Sequence, residues 1–366
     1  MKKTLFAALA LAFVASCSNE EVVEMAQKEA IGFDNAFVNN STRSVNDPSI
    51  TTDGANSTTP LANFAVFGFV GSDQATTPAV LFDGVEVSKS ITNAEQTNTN
   101  WDYSATQYWI AGAKYNFSAV APFTDNKWTK TAASKDGVTL SFENTGTQDL
   151  LYAQSEANIE GLVSNNRPVE FTFNHILSKV KFTFKNEYNA TASTIRVKNI
   201  VITNPYKTGN VALTALTTSW TNRATATDFT LNFGNAAVAA ENAEEAFAYN
   251  NEIESYNELL LIPNTVEGAK DTYNVTFTVD LLVSGTVIKT YNHTATVEFK
   301  PEPGKSYDIK AVINAENIDP STEQEPIEFT VTTINDWDYT NESQDATVNT
   351  TPATGENENT GGIGGN

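Results

Sequence analysis

Residues 169–184 read VEFTFNHILSKVKFTF, and the alternation in that stretch decides the fold class. Val169, Phe171 and Phe173 fall on one face of an extended chain, a period of two that marks a half-buried strand. KVKFTF at 179–184 follows as a second strand. The same pattern recurs in YNVTFTV, with Tyr273, Val275, Phe277 and Val279 on one face, and in IEFTVTT, with Ile327, Phe329 and Val331. Further strands are predicted at 63–70, 115–120, 138–143, 194–203, 258–263 and 306–313. The segments between them are rich in Asn, Gly, Thr, Asp and Pro, which make turns. Only AAVAAENAEEAFAY, residues 236–249, reads as a helix. Many short strands separated by turn signals predict an all-β protein built of β-sandwiches.

Composition agrees with that class. The chain has 366 residues, 40% of them apolar, and a net charge of -22 from 22 Lys and Arg against 44 Asp and Glu. Such a charge, with no Lys/Arg cluster, argues against nucleic acid and against a basic patch on anionic lipid. Charged residues make up only 18% of the chain, while Thr, Asn and Ser are abundant, a balance that fits an exported β-rich protein.

The N-terminus carries its own instruction. Lys2 and Lys3 precede an apolar run from Leu5 to Ala15, too short to span a bilayer but suited to the core of a signal peptide. Val14, Ala15, Ser16 and Cys17 then form a lipobox-like sequence. Cys17 is the only cysteine, so it has no disulfide partner, and lipidation accounts for its position. Ser18 to Glu21 resemble the acidic signals that direct some Gram-negative lipoproteins to the outer face of the outer membrane. Next comes IGFDNAFVNNSTRSV, in which Ile31, Phe33 and Phe37 are expected on one face of a strand. The polar stretch after it holds Arg43, and exposed polar loops are preferred sites of proteolysis.

Length predicts two domains, with leader and tail outside them. The division is residues 1–16 as signal peptide, 17–43 as a lipidated propeptide, and 44–187 and 188–338 as N- and C-terminal sandwiches. Residues 339–366 form a low-complexity tail.

Chemistry is sparse. His175 and His293 are the only histidines and are read as structural; no nucleophile elbow, P-loop or dinucleotide-binding glycine pattern occurs. Asp336, Asp338 and Glu342 lack the spacing of a calcium loop and read as a solvated turn. No catalytic residue, metal or cofactor is expected. Trp101, Tyr103, Tyr108 and Trp109 offer two readings, core packing or a platform for sugar rings, and the second would make the chain a monomeric, lipid-anchored glycan binder.

The ordered set of motifs resembles the fimbrillin family, the type V pilins of Gram-negative gut and oral bacteria. The resemblance rests on the lipobox, the I-x-F strand and Thr-Arg ahead of the body, TQYWIAGAKYNFSAVAP at 106–122 and DLLYAQS at 149–155. It continues through FTFNHILSKVKFTF at 171–184, PGKSYDIKAVI at 303–313 and VTTINDWD at 331–338. It implies two transthyretin-like β-sandwiches in tandem and membrane anchoring through lipid on Cys17. It also implies cleavage between Arg43 and Ser44 by an Arg-specific protease. Loss of the Ile31, Phe33 and Phe37 strand would open a groove for a strand of a neighbouring pilin subunit, which is donor-strand exchange. The candidate donor is 327–337, with Ile327, Phe329, Val331, Ile334 and Trp337; the alternative is that it is the last internal strand, leaving an accessory or tip subunit.

Overall fold

In the computed structural model the described residues are 28–38, 61–72, 78–89, 101–236, 245–318, 325–334, 337 and 342–347, with 35–38 and 342–347 described as backbone. In chain order the strands are β1 (Phe33–Val38), β2 (Asn63–Gly71), β3 (Ala79–Ser88), β4 (Lys114–Ala121), β5 (Trp128–Ser134), β6 (Gly137–Glu143) and β7 (Leu151–Gln154). They continue as β8 (Ile159–Glu160), β9 (Val169–His175), β10 (Ser178–Asn186), β11 (Ser193–Ile202), β12 (Tyr206–Thr214), β13 (Thr218–Thr225) and β14 (Leu231–Gly234). The last are β15 (Glu252–Glu254), β16 (Leu259–Leu261), β17 (Asp271–Val283), β18 (Thr286–Phe299), β19 (Ser306–Ile313), β20 (Phe329–Ile334) and β21 (Glu342–Thr347). One short helix, α1 (Ala315–Ile318), stands among them. The protein is all-β, as the alternation predicts. Residues 237–244 of the expected helix lie outside the described residues; Ala236 and Phe247 beside them bridge to Ser255 and Ile195.

Four sheets form two layered pairs. The largest has the order β1-β9-β7-β4-β2-β3, with β8 on β4, and faces a second sheet, β13-β12-β6-β5. Phe67, Val120 and Tyr152 from the first meet Leu140, Leu213 and Trp220 from the second in one apolar cluster. The other pair is β15-β10-β19-β20-β21, with β16 on β10, against β14-β11-β17-β18. Its cluster holds Phe182, Phe184, Val197, Phe233, Val275 and Ile309. Strands buried on alternate positions explain the period of two: β9 alternates buried and exposed residues from Val169 to Asn174.

Residue 187 falls between β10 and β11. β12 and β13 follow it in sequence, yet β12 lies antiparallel to β6, with Val211 opposite Leu140. The chain therefore returns from the second pair to complete the first.

The largest sheet curls until its edges meet. At one edge Phe33 of β1 bridges to Trp101; at the other, Asp102 exchanges backbone hydrogen bonds of 3.0 and 3.2 Å with Ser88 of β3. β1 is thus the closing stave of a wall around a second apolar cluster, which includes Ile31, Phe33, Phe64, Phe82, Tyr103 and Phe171. β1 runs parallel to β9, and β10 runs parallel to β19, whereas the other strand pairs are antiparallel.

His293 on β18 gives the fold a pH dependence. Its ring stacks on Phe277 at 5.2 Å, its Nε2 is buried without a partner, and burial lowers its pKa from 6.5 to about 4. The folded state disfavours the proton that the unfolded chain accepts below about 6.5. Stability is therefore full above that pH and falls as pH drops toward 4, by up to about 3 kcal/mol. The expected result is a urea midpoint that falls across this window in the natural chain and falls less in His293→Gln.

Candidate functional site: the groove closed by residues 28–38

Residues 28–34 lie between two partners. On one side β1 pairs with β9 in the register Phe33 to Val169 and Asp34 to Glu170, extended backward by the Val169 amide donating to the Gly32 carbonyl at 2.8 Å. On the other, the Ile31 amide donates to the Gln107 carbonyl at 2.8 Å and the Trp109 amide to the Glu29 carbonyl at 2.9 Å. Both edges of the segment are thereby satisfied, as buried backbone requires.

The apolar contacts are centred on Phe33. It is fully buried and packs against the rings of Phe82, Tyr103, Phe117 and Phe171 at centroid distances of 5.6 to 6.0 Å. Gly68 on β2 makes room beneath this set: a Cβ there would stand 2.6 Å from Phe82 and 3.0 Å from Phe117. Ile31 is also fully buried, and its carbonyl accepts a 2.8 Å bond from the Tyr103 hydroxyl. Burial pushes the Tyr103 phenol upward, so it stays a donor at physiological pH.

Two further features control how the segment sits. The Glu29 carboxylate accepts from the Asn166 amide nitrogen at 2.9 Å and from its side-chain Nδ2 at 2.7 Å, clamping the start of the segment to the loop before β9. Farther on, β1 is irregular. The register skips Asn35, so that Ala36 pairs with Phe171, Phe37 with Thr172 and Val38 with Phe173. An inserted residue of this kind is a β-bulge. The pairing puts Ala36 and Val38, and not Phe37, opposite the buried residues of β9.

The candidate donor sits elsewhere. β20 lies between β19 and β21, with Phe329 opposite Ala311 and Ile334 opposite Ser306. Ile327, Phe329 and Val331 belong to the second core, where Phe329 meets Phe182, Phe184 and Phe277. Ile334 is buried as well. Trp337 instead reaches the cluster between the first two sheets and stacks on His175 at 3.9 Å, while the His175 ring bonds Asp149 through Nδ1.

Cys17, Arg43, Ser44, Asp336 and Asp338 lie outside the described residues; Glu342 begins β21. Among the described residues no cluster of three or more metal-ligating side chains occurs, and no helix is long and apolar enough to cross a membrane. Trp101, Tyr103 and Trp109 line the core and present no stacking platform; Tyr108 is half-buried, with the Lys28 ammonium 5.8 Å from its ring centre. The Asn166 clamp is a feature the sequence did not announce, because its partners are 137 residues apart.

The fold is that of an all-β, sandwich-type protein whose N-terminal strand closes an apolar groove in its first sheet. The sequence profile of the fimbrillin-like family matches residues 49–337, and the chain belongs to that family. Solved structures match most of the chain. A candidate cell adhesion protein of Bacteroides ovatus is 15% identical, with 85% of this chain and 98% of that one covered and a TM-score of 0.48. A candidate cell adhesion protein of Bacteroides uniformis is 14% identical over 86% and 99%, with a TM-score of 0.37. The fimbrial anchor protein Mfa2 of Porphyromonas gingivalis is 9% identical over 84% and 98%, with a TM-score of 0.34. No curated protein matches the sequence.

Proposed function

We propose that the chain is a structural subunit of a type V pilus, exported as a lipoprotein on Cys17 and displayed at the cell surface for adhesion or biofilm formation. An Arg-specific protease cleaves between Arg43 and Ser44, the 17–43 propeptide leaves with its strand, and subunits join by donor-strand exchange. The observation that carries this reading is Phe33. A fully buried side chain touching four rings sits on a segment that continues into the polar stretch containing Arg43. Cleavage there separates the closing stave from the body, and its departure leaves an apolar cleft with unpaired backbone on both sides, a template for a new strand. Because the contact is head-to-tail, it propagates into a filament. The two transthyretin-like domains in tandem, 44–187 and 188–338, are part of the same proposal, with β12 and β13 crossing between them.

The test is limited digestion of the full chain with an Arg-specific protease, run unheated on a denaturing gel beside Arg43→Ala. A single cut at Arg43 followed by a ladder of SDS-resistant multimers, absent from the variant, is expected. Resistance at Arg43, or multimers that form equally in the variant, would overturn the reading.

A further inference from the structure

The first sandwich carries an apolar knob at one end. The turn after Trp109 and the segment after β8 lie side by side there, joined by the Gly112 amide donating to the Gly161 carbonyl at 2.8 Å and the Gly161 amide to the Ala113 carbonyl at 2.9 Å. They pack so closely that a Cβ on Gly161 would stand 2.3 Å from the Ile110 carbonyl oxygen. Together they present Ile110, Leu162 and Val163 to solvent, at 60%, 49% and 68% exposure. Three large apolar side chains held outward on hydrogen-bonded loops do not serve the core, and an exposed apolar cluster marks an interaction surface.

The chain that arrives at the knob says what lies against it. Ala30 bridges antiparallel to Tyr108 and the Trp109 amide donates to the Glu29 carbonyl at 2.9 Å, a pairing that brings Lys28 level with Ile110. The other loop is tied to the same point. The Asn166 side chain accepts from the Leu162 amide at 2.7 Å, donates to the Leu162 carbonyl at 3.0 Å and donates to the Glu29 carboxylate at 2.7 Å. Cys17 precedes Lys28 by eleven residues, and eleven extended residues span at most about 40 Å. A lipid on Cys17 therefore keeps this end of the sandwich close to the bilayer. We propose that Ile110, Leu162 and Val163 insert into the lipid surface to which Cys17 is anchored, so that the precursor rests on the bilayer by this end instead of swinging on its tether. This inference rests on the lipoprotein reading above and adds to it the surface by which the body meets the membrane.

Charge and side-chain type fit lipid. The chain carries a net charge of -22, and carboxylates are repelled by the phosphates of headgroups. Beside the knob the carboxylates are engaged, Glu160 by the Lys114 ammonium at 2.7 Å and Glu29 by Asn166, whereas Lys28 and Arg167 are exposed. Long cationic side chains reach phosphates while their stems lie along apolar surface. Tyr108, half-buried with the Lys28 ammonium 5.8 Å from its ring centre, is the type of ring that settles at headgroup level. The tether makes the contact effectively intramolecular, so three side chains suffice where they would not hold a free protein. A second exposed trio, Val283, Val287 and Ile288, surrounds the β17–β18 turn in the other sandwich. The tether does not arrive there, which makes that turn an internal control.

The test is amide hydrogen exchange on the chain from Cys17 onward, coupled through Cys17 to a maleimide-headgroup lipid in phosphatidylcholine vesicles and compared with the uncoupled chain beside the same vesicles. Exchange in 110–113 and 161–165 is expected to slow several-fold in the coupled chain, with 283–288 unchanged. The triple variant Ile110→Ser, Leu162→Ser, Val163→Ser, altered only at exposed positions, is expected to stay on the vesicles and lose the protection. Equal exchange in coupled and uncoupled chains, protection at both turns, or protection that survives in the triple variant overturns the docking. Protection that appears in the uncoupled chain and grows with protein concentration assigns the knob to a second copy and overturns it as well. The intact mass of the chain isolated from cells tests the tether separately. A bare Cys17 overturns the lipoprotein reading and this inference together, whereas an acylated Cys17 without vesicle protection overturns this inference alone.

Discussion

Phe33→Ala in the full-length precursor is expected to destabilise the first sandwich by about 3–5 kcal/mol, the usual cost of emptying a buried phenylalanine site. The reason lies in the contacts. Phe33 packs edge-on to Phe82, Tyr103 and Phe117 and stacks on Phe171, so truncation leaves a void bordered by four rigid rings. Rigid rings collapse poorly into a void, and aromatic pairs of this geometry each add about 0.5–1.5 kcal/mol beyond area burial. Urea denaturation followed by tryptophan fluorescence measures the loss, since Trp101 and Trp109 belong to the same cluster. A drop below about 1 kcal/mol would mean that the groove tolerates vacancy. The same measurement after cleavage at Arg43 separates two histories. If residues 28–38 depart, the natural chain and the variant become the same molecule and their midpoints coincide; a surviving difference would show that the strand stays bound.

How far the sequence reveals this arrangement depends on what each residue's partner is. β9 and β17 are plain in it because buried and more exposed positions alternate along them, whereas β10, buried at all positions but Lys185, is legible from Val180, Phe182 and Phe184 at a spacing of two. β3 escapes because Asp83-Gly84 interrupts its pattern; Gly84, at φ +77°, is skipped in the pairing of Val66 with Val85 and Phe67 with Asp83. β18 escapes because Thr286–Thr290 are all exposed, so half the strand carries no alternation. Ile31 and Phe33 read as buried from their spacing alone, and they are. The register beyond Asp34 is not legible, because a bulge at Asn35 shifts the pairing by one residue and no local signal announces it. The pairing of β12 with β6 and the clamp of Glu29 on Asn166 are contacts at long sequence separation, set by the fold as a whole and not by either segment's own pattern.

The interleaving of the two layered pairs makes the second prediction as large as the first. Arg223 on β13 reaches Asp271 at the start of β17, with Nη2 donating to Oδ1 at 2.9 Å and Nη1 to Oδ2. Asn264 donates to the same carboxylate at 2.9 Å and the Tyr273 hydroxyl at 3.2 Å, while the guanidinium lies 4.2 Å above the Tyr206 ring. Both charged side chains are mostly buried, at 13% and 4% exposure. A buried pair of this kind contributes little net stability over an apolar substitute, but removing one member strands the other charge, at about 3–5 kcal/mol. Arg223→Ala is therefore expected to lose that amount, and Arg223→Met with Asp271→Leu to recover most of it. Arg223→Lys should fall between, because an ammonium cannot reproduce the two-pronged contact. Calorimetry adds a second readout. The bridge ties the sheet of β12 and β13 to the second sandwich, so Arg223→Ala is expected to split one unfolding transition into two, whereas a single shifted transition would assign the coupling to the backbone connections alone. In the proposed filament each subunit is gripped at its β1 groove and again through its C-terminal strand. Tension between those points must cross from the first sandwich to the second, and the Arg223–Asp271 bridge lies on that path.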